Sequence, residues 1–355
     1  FVQFPGGYLA DKNGRRWLIA TMSFGLAFGY AFYIFAPSWH FIVIGMVVQN
    51  LCLIYTPALT SMMIDSLEPD KRGKGFNFQA VLMNFIMLPA PLIAAALVLI
   101  NDHYVSPQSD FGMRIAFSIV LIAYTIAAFL RLRLKETLPA NGENSKPNIL
   151  ETFRNYPKIV KESWQVWNKV PKSAYYLFLT TIIINSLVSV CYIFFVIYAT
   201  QIMNIPESQY AIALAISFVG IAIPALIAGF RMDISGRKNY LILGYLLYIP
   251  AMLLFVIADI YLLPVAFFLF FLGNLLRVNS SQIILGDLVP RPLRGKAIGV
   301  VHFFLYIAQA FVYLIGGFLY EFINPQLPFL LLAVAAAPMA LLIILKISEP
   351  KIKEI

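Results

Sequence analysis

Long apolar runs without a single charged residue are the main feature of the sequence. Four of them cover residues 173–206, 208–230, 239–258 and 327–345. Each supplies roughly the 20 residues that a helix needs to cross a bilayer. The strands of an outer-membrane barrel would alternate polar and apolar residues instead. The pattern therefore predicts an all-α membrane protein.

Ten complete spans follow from these runs and from others bounded by polar clusters. Composition agrees, because 61% of the 355 residues are apolar and 12% are charged, about half the charged fraction of a soluble domain. With 30 Phe and 19 Tyr, the chain is also too aromatic for a disordered protein. The predicted spans are residues 17–36, 39–65, 75–100, 112–131, 173–201, 208–230, 239–258, 261–288, 296–320 and 327–346.

The net charge of +9 reflects orientation rather than a nucleic-acid surface. Of the 26 Lys and Arg residues, 24 lie in alternate connections or at chain ends on the same side of the predicted spans. The exceptions are Arg114, in an opposite loop, and Arg277, inside a span. Because cytoplasmic loops carry the excess of basic residues, the basic loops and both termini are predicted to be cytoplasmic.

Two loop motifs occur twice at one separation. An Asp-x-x-Gly-Arg-basic loop and an Asp followed by Arg-Gly-Lys each return later in the chain. Asp and Gly are common in turns for reasons of backbone geometry, so one such loop alone is weak evidence of a shared motif. Two motifs at a common offset indicate an internal duplication. The related residues are Asp11 and Asp233, Asp65 and Asp287, and Arg72 and Arg294, each pair 222 residues apart.

The duplication predicts two pseudo-symmetric six-helix bundles, twelve spans in all, of which about ten are complete here. The second bundle begins near Ser173, so we expect the first span and most of the second in about 50 residues before Phe1. The linker has apolar residues at helical spacing, which favours an interfacial amphipathic helix, with a solvated linker as the alternative. The predicted domains are a helical bundle at 1–134, a cytoplasmic linker at 135–172, a second bundle at 173–347 and a cytoplasmic tail at 348–355.

The Gly-x-x-x-Asp-x-x-Gly-Arg-Arg loop at residues 7–16 resembles the signature of the major facilitator superfamily of secondary transporters. Its weaker copy at residues 229–238 lies where that family also carries one. The elements at Asp65 and Asp287 are similar to the loops after the family's fourth and tenth spans. The resemblance covers essentially the whole chain and implies the family's fold. It does not identify a substrate.

The resemblance also implies a cytoplasmic gate. Asp11 would cap the helix that begins near Gly295, where free N–H groups favour a carboxylate, and Arg15 would pair with Asp65. The second copy would make the equivalent contacts, and all of them would break when the protein opens inward. Charges that only anchor the loops at the lipid surface are the alternative. The implied gate residues are Gly7, Asp11, Gly14, Arg15, Arg16, Asp65, Arg72, Asp233, Gly236, Arg237, Asp287 and Arg294.

Arg277 is a full charge deep inside a predicted span, where ionisable residues are costly and usually functional. It shares a helical face with Asn274 and Ser281. A cation in a central cavity would attract an anionic or carbonyl-bearing substrate. The alternatives are an arginine bonded to helix-end carbonyls or to an acid in the preceding spans, and, less favoured at this depth, one that snorkels to the surface.

Polar residues at helical spacing in three other spans are further candidates for substrate contacts. The family lines its cavity with its first, fourth, seventh and tenth spans, which favours this interpretation. Hydrogen bonding between helices explains each stripe equally well. The candidates are Asn185, Ser189 and Tyr192 in the seventh span, Gln49 and Thr56 in the fourth, and Tyr306 and Gln309 in the eleventh.

His302 is the candidate for proton coupling, because imidazole titrates near neutral pH and no Asp or Glu lies deep in any span. Simple hydrogen bonding is the alternative. Two departures weaken a drug-antiporter interpretation. Met46 stands where proton-coupled members often carry Arg, and Leu-Pro-Ala-Pro at 88–91 replaces the antiporters' Gly-Pro pattern. Lys-Glu-Thr at 135–137 is similar to a sugar-porter motif, but also to many other members.

The predicted function is secondary transport of a small solute by alternating access, with metabolites, sugars and organic anions as candidate substrates and protons as a candidate coupling ion. A drug/proton antiporter is the alternative, and a transporter-like sensor is a remote one. No H-E-x-x-H, G-x-S-x-G or G-x-x-x-x-G-K-[ST] motif occurs, so we expect neither an enzyme nor an ATP-driven pump, and no cofactor or metal. We expect a monomer in the plasma membrane whose partners are lipid and substrate, without nucleic acid.

Overall fold

The computed structural model describes residues 15–66, 82, 86, 89–105, 110–137, 171–289 and 291–348. Every regular element in these ranges is helical, and the chain forms two compact units, Phe1–Lys158 and Ile159–Ile355. The first unit contains α1 (Arg15–Ile34), α2 (Trp39–Cys52), α3 (Thr56–Asp65), α4 (Pro89–Tyr104) and α5 (Phe111–Arg131). The second contains α6 (Lys172–Ile197), α7 (Glu207–Ser235), α8 (Arg237–Ile257), α9 (Leu263–Leu288), α10 (Arg291–Phe318) and α11 (Leu327–Lys346).

Eight of these helices, all except α2, α3 and α4, are long and apolar enough to cross a membrane within the described residues. Their outer faces expose large apolar side chains such as Ile223, Leu314 and Val334. Apolar surface of this extent fits lipid rather than water. The prediction of an all-α, multi-pass membrane protein is confirmed.

The predicted span at 39–65 is interrupted. A 3₁₀ turn at Leu53–Tyr55 separates α2 from α3. Pro57 has no N–H to donate to the carbonyl of Leu53, four residues earlier. That carbonyl instead accepts the Oγ1 hydroxyl of Thr56 at 2.7 Å and the Thr56 backbone N–H. The break therefore follows from a proline that the hydrophobic pattern alone does not weigh.

Other helix boundaries differ from the predicted ones. The predicted span at 75–100 corresponds to α4, which begins at Pro89, and most of residues 75–88 lie outside the described residues. The predicted span at 296–320 begins earlier, because α10 starts at Arg291. The linker helix predicted between 149 and 167 lies outside the described residues.

Arg114, the basic residue on the unexpected side, closes the end of α1. Its Nη1 donates to the carbonyl of Ile34 at 2.9 Å and its Nη2 donates to the carbonyl of Ala36 at 3.1 Å. The last carbonyls of a helix have no partner within the helix, and a cation there also complements the helix dipole. The hydrogen bonds that Arg114 makes to the end of α1 thus account for a basic residue outside the basic loops.

An aromatic core holds the second unit together. Phe195 stacks on Phe329 at a centroid distance of 5.6 Å and meets Phe270 edge-on at 4.9 Å. These contacts connect α6, α9 and α11, and α8 packs against both α9 and α11. The fully buried aromatic side chains of this core are Phe195, Tyr198, Tyr245, Tyr248, Phe255, Phe267, Phe270 and Phe329.

The helices α8 and α9 come into close backbone contact at two glycines, Gly244 and Gly273. A Cβ at Gly244 would lie 2.7 Å from the backbone N of Arg277 and 2.8 Å from the carbonyl O of Gly273. Small residues allow helix backbones to come this close in a membrane, where packing rather than water exclusion drives association. The crossing places the backbone of Arg277 directly against α8.

Candidate functional site

Arg277 lies on α9 in the interior of the second unit. Only 1% of its surface is exposed, and it is among the largest fully buried side chains of the described residues. Burying a charge is costly unless hydrogen bonds satisfy it. The neighbours of the guanidinium therefore decide what this side chain can do.

Three neutral side chains hold the guanidinium. Its Nε donates to the Tyr248 hydroxyl at 3.0 Å, and its Nη2 donates to Oδ1 of Asn185 at 2.6 Å and to Oδ1 of Asn274 at 2.9 Å. The Tyr248 hydroxyl donates in turn to Oδ1 of Asn274 at 3.1 Å. Three helices, α6, α8 and α9, thus converge on one cation.

No carboxylate among the described residues pairs with Arg277, whose hydrogen-bond partners are all uncharged. The sequence of the surrounding helices explains why. Residues 173–206, 239–258, 260–286 and 297–320 contain no Asp or Glu. The positive charge of the cluster is therefore uncompensated by any acid within these segments.

Three polar atoms at the site are buried without a hydrogen-bond partner among the described residues. They are Nη1 of Arg277, Oγ of Ser281, one turn further along α9, and the hydroxyl of Tyr245 on α8, which lies beside the guanidinium. Buried donors are nearly always paired in folded proteins, so an unpaired one calls for an explanation. A ligand that accepts hydrogen bonds would supply the missing partner.

Arg277 and Ser281 line a cavity of about 260 Å³ in the second unit. Asn185 and Thr181 reach it from α6, and His302 reaches it from α10. The remaining walls are largely apolar. A space of this size is slightly below the roughly 300–1,000 Å³ of drug-sized ligand pockets, which suits a small solute.

The other predicted contacts of α6 are not at this cavity. The Ser189 hydroxyl donates to the carbonyl of Ser186 in its own helix at 2.7 Å. The ring of Tyr192 packs edge-on against Phe270 at 5.3 Å. Asn185 is the one residue of the predicted α6 stripe that lines this cavity.

Residues predicted in α10 and in the first unit have separate surroundings. His302 lines the cavity, whereas Tyr306 meets the His302 ring edge-on at 6.2 Å and Gln309, half-buried, is not part of the lining. In the first unit, Oε1 of Gln49 accepts the Tyr33 hydroxyl at 2.9 Å. The hydroxyl of Thr56 donates to the carbonyl of Leu53 at the break between α2 and α3.

Most of the predicted gate lies outside the described residues. This holds for Gly7, Asp11, Gly14 and Arg72, and for the side chains of Asp65, Asp233, Asp287 and Arg294. The expected pairing of Arg15 with Asp65 and the expected helix caps therefore stay predictions. Arg237 is described and half-buried.

Two described parts of the loop motifs have a structural role. Gly236 has a φ of 89°, a conformation that glycine adopts freely, and this single residue joins α7 to α8. At the start of α1, Nη1 of Arg15 donates to Oγ1 of Thr137 at 3.1 Å. The backbone N of Arg16 donates to Oε2 of Glu136 at 3.1 Å. The Lys-Glu-Thr segment thus contacts the signature loop of its own unit.

Sequence reasoning missed Tyr248, which is fully buried on α8 and contacts both Arg277 and Asn274. Tyr245, one turn earlier, is also fully buried beside the guanidinium. Tyrosines of membrane proteins concentrate at the bilayer interfaces. Two tyrosines three residues apart well inside a span were the available signal.

The sequence profile described as Major Facilitator Superfamily matches residues 1–206 and 177–355, which together span the chain. The chain belongs to the Major Facilitator Superfamily. No curated protein matches this superfamily member at a significant level. The family assignment confirms the resemblance carried by the loop motifs and establishes a membrane transport protein.

Solved structures share the fold of this superfamily member at low sequence identity. The nucleoside transporter NupG is 14% identical, with a TM-score of 0.69 over 98% of this chain and 87% of that one. A peptide transporter, POT, is 15% identical, with a TM-score of 0.68 over 96% and 82% of the two chains. The human organic anion transporter MFSD10 is 16% identical, with a TM-score of 0.62 over 96% and 80%. Identities this low establish the fold alone.

Proposed function

We propose that this superfamily member moves a small solute across the plasma membrane by alternating access, as a monomer with its basic loops and both termini in the cytoplasm. The cavity beside the Arg277 cluster is the main support, because it combines a buried cation, unpaired donors and apolar walls inside a membrane-spanning unit. Metabolites, sugars and organic anions are the candidate substrates. Relatives of the same fold are named for nucleosides, peptides and organic anions.

Solute counterflow into proteoliposomes tests this function directly. The panel comprises a nucleoside, a dipeptide, a hexose and an organic anion, each measured with and without an imposed pH gradient. We expect saturable exchange of at least one class. Exchange confined to bulky apolar cations would favour the drug-antiporter alternative, and binding without exchange would favour the sensor.

The gate proposal predicts the effect of Asp11→Asn. A carboxylate that caps a helix contributes about 0.5–2 kcal/mol, so its loss from one conformational state should change exchange by about twofold to thirtyfold. Expression and thermal stability should stay at the level of the wild type. Asp110→Asn, at the exposed start of α5 without a side-chain cap bond, is the matched control. Equal exchange by the two variants would count against the gate role.

Proton coupling through His302 predicts a loss of gradient dependence in His302→Asn. The variant retains hydrogen-bonding capacity, so solute exchange without a gradient should persist. Accumulation driven by an inward proton gradient should fall to the level seen without one. If His302→Asn accumulates solute like the wild type, His302 is not the coupling group.

A further inference from the structure

The guanidinium of Arg277 offers hydrogen-bond donors and no acceptor. A guanidinium has five N–H groups, and three of these are bonded to Tyr248, Asn185 and Asn274. The two on Nη1, the hydroxyl of Ser281 and the hydroxyl of Tyr245 beside the guanidinium have no hydrogen-bond partner among the described residues. The oxygens of both asparagines already accept from Arg277. A ligand that contacts Nη1 therefore has to present acceptor atoms.

The charges around the site restrict the chemical class of the ligand further. The cation is buried among uncharged partners, and the segments that pack around it contain no Asp or Glu. A buried ion without a counter-charge is unfavourable, and a bound anion would remove that penalty. An acceptor with one negative charge matches a site with one positive charge.

The walls of the cavity define the rest of the ligand. They include Leu177 and Phe178 from α6, Val278 and Leu285 from α9, and Val301 and Leu305 from α10. The volume of about 260 Å³ leaves room for a compact body next to the charged end. Besides the Arg277 cluster and Ser281, the polar residues of the lining are Thr181, Gln282 and His302. The apolar part of the wall favours a ligand whose body is apolar next to its charged end.

We propose that the transported solute is a small carboxylate with an apolar body, whose carboxylate is bound by Nη1 of Arg277 and Oγ of Ser281. This inference rests on the transport function proposed above and specifies its substrate class. Arginine suits the role because its planar N–H groups match the geometry of a carboxylate. The two asparagines and Tyr248 bond Nε and Nη2, which leaves Nη1 as the guanidinium nitrogen without a hydrogen bond.

Matched pairs of ligands that differ in charge test the proposal. Benzoate with benzamide, and isobutyrate with isobutyramide, are compared for binding to the purified full chain in nanodiscs and for counterflow in proteoliposomes. We expect the carboxylates to bind more tightly than their amides by about tenfold to a hundredfold, as for hydrogen bonds to a charged group. Inorganic phosphate should compete poorly, because it lacks the apolar body.

Two variants test whether the preference for carboxylates over amides depends on Arg277. Arg277→Gln should reduce carboxylate binding to the level of the amides. Asn185→Asp should do the same, because a carboxylate in place of Oδ1, now 2.6 Å from Nη2, would neutralise the cation internally. Its thermal unfolding midpoint should not fall below that of the wild type. Asn324→Asp, at an exposed position after α10, adds the same charge elsewhere and should leave binding unchanged.

The outcomes separate this inference from the transport function. Equal binding of carboxylates and amides by the wild type, or of neither, overturns the inference, as does an undiminished carboxylate preference in a folded Asn185→Asp variant. If the chain exchanges neutral solutes independently of Arg277, transport stands and the carboxylate assignment fails. If no solute of the wider panel is exchanged, the transport function itself fails.

Discussion

Replacing Gly244 with valine should lower the stability of the protein by roughly 1–3 kcal/mol or more, the cost of overpacking a close contact. The Cβ would meet the backbone N of Arg277 and the carbonyl of Gly273, at 2.7 and 2.8 Å. Backbone atoms cannot rotate away as a side-chain end can, so α8 and α9 would have to separate. The measurement is the thermal unfolding midpoint of the purified protein in detergent.

Gly317→Val is the matched control for this change. A Cβ at Gly317, on α10, would have nothing within 4 Å in the described structure. Its midpoint should therefore stay close to that of the wild type. Because Gly244 also holds the backbone of Arg277 in position, Gly244→Val should weaken ligand binding at the cavity. Equal midpoints for the two variants would show that the α8–α9 contact is looser than described.

The sequence predicted an all-α, multi-pass membrane protein correctly because the bilayer leaves few choices. Backbone groups in hydrocarbon have to be satisfied within a helix, so each long apolar run becomes one. Within that rule the interruption at Leu53–Tyr55 was missed, since apolar periodicity continues across it. Pro57 was the available signal, and it acts through a single absent N–H group.

The internal repeat does not predict where the helices of each unit cross. At positions 222 residues before the glycines of the α8–α9 contact, the first unit has Met22 and Leu51. Its own close approach between α1 and α2 is at Gly29 and Gly45 instead. Crossing points depend on which small residues face each other. Two copies that diverge at these positions cross at different heights.

The candidate site was predicted in part for a similar reason. Asn274, Arg277 and Ser281 could be grouped because they share one helix, and helical spacing is visible in a sequence. Asn185 was chosen from its own stripe, and its contact with the guanidinium required the packing of α6 against α9. The number of N–H groups left unpaired depends on all three helices together, which no single-helix pattern contains.

Replacing Tyr248 with phenylalanine should cost about 1.5–3 kcal/mol, the range for a hydrogen bond to a charged group. The hydroxyl accepts from Nε of Arg277 at 3.0 Å and donates to Asn274 at 3.1 Å. Without the hydroxyl, the Nε–H of the fully buried Arg277 has no acceptor, and Oδ1 of Asn274 loses the donor that Tyr248 supplied. The ring itself stays, so the packing around Phe270 is kept.

Tyr320→Phe makes the same chemical change at a hydroxyl that is buried without a hydrogen-bond partner in the described residues. Its ring stacks on Phe194 at 4.2 Å, a contact that phenylalanine preserves. The thermal unfolding midpoint should therefore fall for Tyr248→Phe and be unchanged or raised for Tyr320→Phe. A freed guanidinium can also turn from its bound orientation, so Tyr248→Phe should bind benzoate more weakly. If both variants unfold and bind like the wild type, Tyr248 does not position Arg277.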